Sequence, residues 1–177
     1  RVLFRSVEVL PEAGELLNKR LVGAVNLYVL GRARHFQRAT VEALIEAVRQ
    51  QRPDFVVCTG DLTATATEAE FRMARTILAP LLEEFPFYTL SGNHDVYTAE
   101  SVGRFEAHFG EYAGESREWG EISWMGLDVC HPDWLSRGEA GEALRKLKEN
   151  LEGGEKPAVL MLHYPLRDRH GAPYGPF

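Results

Sequence analysis

Three short polar clusters in this chain carry residue types that bind metal ions or move protons: Gly60-Asp61-Leu62, Ser91-Gly92-Asn93-His94-Asp95 and His163-Tyr164-Pro165. A carboxylate, an amide oxygen and an imidazole nitrogen make a hard-to-borderline donor set, suited to Mn, Fe, Zn or Mg better than a thiolate site would be. Asp61 offers a carboxylate that can bridge two cations, and Asn93 and His163 each add a donor. His94 followed by Asp95 suggests an imidazole acid and a carboxylate that orients it, fixing the tautomer and raising the ring's basicity. A Gly-Asp pair after a strand, or a single His, is ordinary turn chemistry when it stands alone. One strand ending in Gly-Asp-Leu and a second ending in Gly-Asn-His-Asp are improbable as two unrelated turns, and that joint match points to function. His35, His108, His131 and His170 have no such context and are expected on the surface or packed against helices.

The elements around these clusters alternate. Apolar residues recur near the helical period over residues 12–30, and Thr40 to Gln51 forms a second helix that Arg52-Pro53 should end. Phe55 to Thr59 reads as a buried strand, Glu68 to Glu84 as a long helix, and Phe87 to Leu90 as the second strand of a β-α-β unit. Thr98 to Phe109 is helical, Gly-rich turns follow, and Ile122 to Val129 is a strand. A loop holding Pro132, a helix over Glu139 to Leu151 closed by Gly153-Gly154, and an apolar strand over Ala158 to Leu162 complete the order. Such alternation predicts an α/β layered fold with a largely parallel sheet. Each polar cluster directly follows a strand, so all three converge on the carboxyl edge, where ligands bind in open α/β sheets. Gly60 and Gly92 are expected to allow sharp turns there.

The chain has 177 residues, 45% of them hydrophobic, enough for the core of one ordinary domain. A formal charge of −6 offers no electrostatic footprint for long nucleic acid, and a small anionic substrate then needs a metal to receive it. The basic stretch Lys19 to Arg38 is spaced like the solvated face of a helix. Cys58 and Cys130 lie in apolar runs, as buried thiols of a reduced compartment do, and no apolar stretch is long enough to span a bilayer. A cytoplasmic location is expected.

With these motifs in place, the chain resembles the calcineurin-like metallophosphoesterases, particularly the bacterial branch that includes cyclic-nucleotide phosphodiesterases. That family carries Asp-x-His after its first strand, Gly-Asp after the second, Gly-Asn-His-Asp or Glu after the third, a His after a later strand and a closing Gly-His-x-His. Three of the five blocks are present. The resemblance implies a layered α-β-β-α sandwich and two divalent metal ions acting on small phosphate mono- or diesters. It implies that Asp61 is the bridging carboxylate, that Asn93 and His163 are ligands of the second metal, that His94 is the acid or phosphate contact, and that Asp95 is its orienter. Ser6-Val7-Glu8-Val9 stands where the Asp-x-His is expected, so Val7 and Val9 fill two ligand places they cannot serve. Residues 1–6 read like a translated sequencing adapter, and the sequence stops at Phe177 before a Gly-His-x-His. The expectation is one domain over residues 1–177, incomplete at both ends. The alternative is a degenerate relative acting as a binding or scaffold module; a nuclease is a third reading, against which the acidic charge counts.

Overall fold

A computed structural model describes residues 38–113, 116–130, 139–153 and 156–172. The helix expected over residues 12–30, Val7, Val9, His35, His131 and all of the basic stretch except Arg38 lie outside the described residues.

Helix α1 (Arg38–Gln51) buries Val41 and Ile45, one helical turn apart. It ends at Arg52, whose φ of 48° is left-handed, in front of Pro53. Strand β1 (Val56–Cys58) follows. Helix α2 (Glu68–Glu84) opens on a capping box: the Thr67 hydroxyl accepts from the Glu70 N–H while the Glu70 carboxylate reaches back to the Thr67 N–H. Its buried Phe71, Ala74, Leu78 and Leu81 recur every three or four residues. Phe85 then turns extended, the conformation favoured before a proline, here Pro86. Strand β2 (Phe87–Thr89) pairs parallel with β1 in the register Val56 to Phe87, closing the expected β-α-β unit. Helix α3 (Ala99–Phe109), capped by Thr98, adds Phe105 and Phe109 to a cluster with Phe71. His108 stacks on Phe71 with ring centroids 5.7 Å apart and bonds Glu68 at 2.9 Å, the helix-packing role expected of it.

Strand β3 (Ser116–Trp119) was not expected. It pairs antiparallel with β4 (Ile122–Leu127) through a turn in which Gly120 takes a φ of 55°. Four residues including Arg117 and Glu118 carry too little apolar pattern to announce a strand. After α4 (Glu139–Gly153), strand β5 (Ala158–Leu162) pairs parallel with β4. Among the described residues two of the three strand pairings are therefore parallel, in two sheets, β1-β2 and β3-β4-β5. Trp124 of β4 meets Phe55 and Tyr88 of the other sheet with ring centroids 5.8 and 6.4 Å apart. Among the described residues no helix is long and apolar enough to cross a membrane, and Cys58 and Cys130 are both free thiols.

Candidate active site

The loops leaving β1 and β2 touch backbone to backbone. A Cβ on Gly60 would lie 2.4 Å from the Gly92 nitrogen, and a Cβ on Gly92 would lie 2.2 Å from the Asp61 nitrogen. Neither position has room for a side chain. Gly60 turns as expected, with a φ of 90°; Gly92 opens the expected turn, which the Asp95 N–H closes on its carbonyl at 3.0 Å, and what requires glycine there is the close approach. Asp61 holds a left-handed φ of 61°, a conformation that costs a non-glycine residue about 1 kcal/mol and that aims its carboxylate at the β2 loop.

Asp61, Asn93 and His163 are brought together. The His163 Nδ1 lies 2.7 Å from the Thr59 carbonyl oxygen, which can only accept, so Nδ1 carries a proton. The Nε2 lies 3.0 Å from Asn93 Oδ1 and 3.6 Å from Asp61 Oδ1. With Nδ1 turned to Thr59, Nε2 is the nitrogen that faces the two oxygens. A divalent cation satisfies all three at once. Donors about 2.1 Å from a common centre sit roughly 3.0–3.6 Å apart at angles of about 90° to 120°, so the spacing suits an ion. Both the His163 and Asp61 side chains are almost wholly buried. Among the described residues no three His, Cys, Asp or Glu side chains form such a group; the set is completed by an amide.

His94 lies beside this set, its N–H donating to Asp61 Oδ1 at 3.1 Å. The role expected of Asp95 needs correction. Its carboxylate does not hold the His94 ring; it accepts from the N–H groups of Asp61, Leu62, Thr63 and Gly92 and from the Thr63 hydroxyl, all within 2.8–3.1 Å. The physical reason is supply and demand: two loops crossing so closely bury N–H groups that no strand can satisfy, and a carboxylate accepts them in bulk. Burial, and next the Asp61 charge, push the Asp95 carboxyl up to about 7, against hydrogen bonds that favour its charged form.

Glu70 does the same for the next residues. It accepts from the N–H groups of Ala64, Thr65 and Thr67 and from the hydroxyls of Thr65 and Thr67. Two buried carboxylates therefore hold the loop from Asp61 to Thr67. The Thr67-x-x-Glu70 capping pattern was a legible signal for half of this. Asp128, at the end of β4, accepts from the Ser91 N–H at 3.1 Å and hydroxyl at 2.6 Å, anchoring the β2 loop to the second sheet. Asp128 was expected inside the strand Ile122 to Val129, so nothing in the sequence set it apart as a strand-end carboxylate. The His94 ring instead faces the Ala64 carbonyl, 2.9 Å from Nδ1, and the Tyr97 hydroxyl. Tyr97 closes the run Gly92-Asn93-His94-Asp95-Val96-Tyr97, but its residue type alone gave it no role.

Residues 34–176 match the calcineurin-like phosphoesterase family. A transmembrane protein with metallophosphoesterase domain from Danio rerio is 33% identical over 101 residues, 56% of this chain and 22% of that protein. A probable glycerophosphodiester phosphodiesterase from Arcobacter nitrofigilis is 30% identical over 128 residues, 64% of this chain and 42% of the relative. A probable cyclic nucleotide phosphodiesterase from Synechococcus is 28% identical over 125 residues, 70% of this chain and 47% of the relative. The chain spans less than half the length of each of these relatives.

Proposed function

Given that this chain belongs to the calcineurin-like phosphoesterase family, we propose that it carries the central part of a site hydrolysing small phosphate mono- or diesters. The observation that carries the reading is the meeting of His163 Nε2, Asn93 Oδ1 and Asp61 Oδ1, with Nε2 3.0 and 3.6 Å from the two oxygens and the His163 and Asp61 side chains almost wholly buried. Asp61, Asn93 and His163 would hold one divalent cation, and Asp61 would be shared with a second, as the family resemblance implies. Bound cations supply Lewis-acid polarisation of a phosphoryl oxygen and neutralise its charge. The chain's own residues do the rest. The Thr59 carbonyl fixes the His163 tautomer, so that Nε2 is the donor nitrogen. The carboxylates of Asp95 and Glu70 hold the loop that aims Asp61, and Asp128 holds the loop that carries Asn93 and His94. His94 would give a proton from Nε2 to the departing oxygen, because its Nδ1 is committed to Ala64.

Substrate class follows from the relatives' names, a glycerophosphodiester and a cyclic nucleotide, which favour a small diester over a long polymer. A non-catalytic binding module is the second reading, supported by Val7 and Val9 at two expected ligand places. Hydrolysis of bis-para-nitrophenyl phosphate by the complete gene product with Mn, abolished by a chelator and restored by metal, is the expected outcome. Metal binding without turnover of that ester or of cyclic nucleotides would favour the binding module.

A further inference from the structure

Tyr97 lies three residues beyond His94, and its hydroxyl reaches both the His94 Nδ1 and the Ala64 carbonyl, the latter at 3.3 Å. The same carbonyl lies 2.9 Å from Nδ1. A carbonyl oxygen only accepts, so the Nδ1 proton and the phenolic proton can both point at Ala64, and the phenolic oxygen then turns a lone pair toward Nδ1–H. An unprotonated Nδ1 would instead set its lone pair against the carbonyl oxygen. The Tyr97 ring stands edge-on to the imidazole, with centroids 5.6 Å apart and planes at 88°, which restricts rotation of the His94 ring. Ala64 is itself fixed, since its N–H donates to the buried Glu70 carboxylate at 3.3 Å.

We propose that Tyr97 is the positioning residue for His94. With Ala64 it keeps the Nδ1 proton in place, so the proton that moves is the one on Nε2, on the opposite edge of the ring: the doubly protonated ring gives it to the departing oxygen and is left as the neutral Nδ1–H tautomer. Asp95, the neighbour that sequence order suggests for this task, is occupied by loop backbone. The inference rests on the reading of His94 as proton donor.

Tyr97→Phe keeps the ring and removes the hydroxyl. In the complete gene product with Mn, the kcat for an alkyl phosphate ester should fall about fivefold, the scale of one neutral hydrogen bond. The KM and the rate on a para-nitrophenyl ester, whose leaving group departs without a proton, should stay within about twofold. Nitrogen-15 NMR of the metal-free protein should show His94 as the Nδ1–H tautomer in wild type and as a mixture in Tyr97→Phe. Equal rate loss on both esters, or an unchanged tautomer, would overturn the inference. His94→Ala separates the two levels of the claim. If it loses the alkyl ester selectively while Tyr97→Phe behaves as wild type, only the role of Tyr97 falls. If His94→Ala loses both esters equally, the proton-donor reading falls, and the inference with it.

Discussion

Asp95→Asn distinguishes a catalytic carboxylate from one that holds two loops together. In the structure one Asp95 oxygen accepts from the Asp61, Leu62 and Gly92 N–H groups, and the other accepts from the Thr63 N–H and hydroxyl. An asparagine can keep its oxygen on the side with three N–H groups. Its NH2 then faces Thr63, whose hydroxyl can rotate to accept, but whose backbone N–H is left buried against another donor. One orphaned buried donor costs about 1–3 kcal/mol; losing the charge weakens the three bonds that remain but relieves the burial and Asp61 repulsion that raise this carboxyl, so the orphaned donor sets the total, about 2–3 kcal/mol. For a chain of this size that lowers the melting temperature by about 5–10 °C. Circular-dichroism melts of wild type and variant give the shift directly. Esterase rates measured well below the variant's melting temperature should depend little on the leaving group. A variant that melts with wild type, yet loses rate selectively on esters with poor leaving groups, would refute the loop-holding role and restore Asp95 as the orienter of His94.

Gly92→Ala should fail to give folded protein, or lose about 3 kcal/mol, because the new Cβ falls 2.2 Å from the Asp61 backbone nitrogen and neither loop has room to retreat; a melt matching wild type would contradict the backbone contact. Burial raises the Glu70 carboxyl above its ordinary 4.5 despite the hydrogen bonds it accepts, so the folded state holds that proton more tightly than the unfolded one. Its contribution is then fully present below about 4.5 and is lost as pH rises through the raised value, and the stability difference between wild type and Glu70→Gln should shrink from acid to neutral pH; a difference that grows over that range would contradict the sign.

Much of the framework was legible because it follows from chain-local rules. The helix ends at Arg52 and Phe85 are set by the prolines that follow them, and the limits of α2 coincide with its apolar period and Thr67 cap. Strand β3 was missed because four polar-rich residues gain their hydrogen bonds from β4, a partner that local pattern does not name. Within the site, residue types at strand ends located Asp61, Asn93, His94 and His163. What each neighbour does was not legible. Adjacency suggested that Asp95 serves His94, but a side chain next in sequence points elsewhere once the chain turns, and Asp95 turns to the N–H groups of a loop some thirty residues away. Tyr97 meets Ala64 only after the loops of β1 and β2 come together, and Asp128 meets Ser91 only after β4 reaches the β2 loop, whereas Glu70 bonds residues within six of it and was legible in part.

If Asp61, Asn93 and His163 form a cation site beside a His94 that is not a ligand, Mn affinity must depend on the first three side chains and not on the fourth. Equilibrium dialysis of metal-free wild type, Asp61→Asn, His163→Ala and His94→Ala, followed by metal analysis, supplies it, with a melt to confirm that each variant is folded. Asp61→Asn and His163→Ala should lose affinity by more than about tenfold, while His94→Ala binds as wild type does. Folded Asp61→Asn and His163→Ala proteins that bind Mn like wild type, or a His94→Ala protein that loses it, would contradict a cation site of this composition.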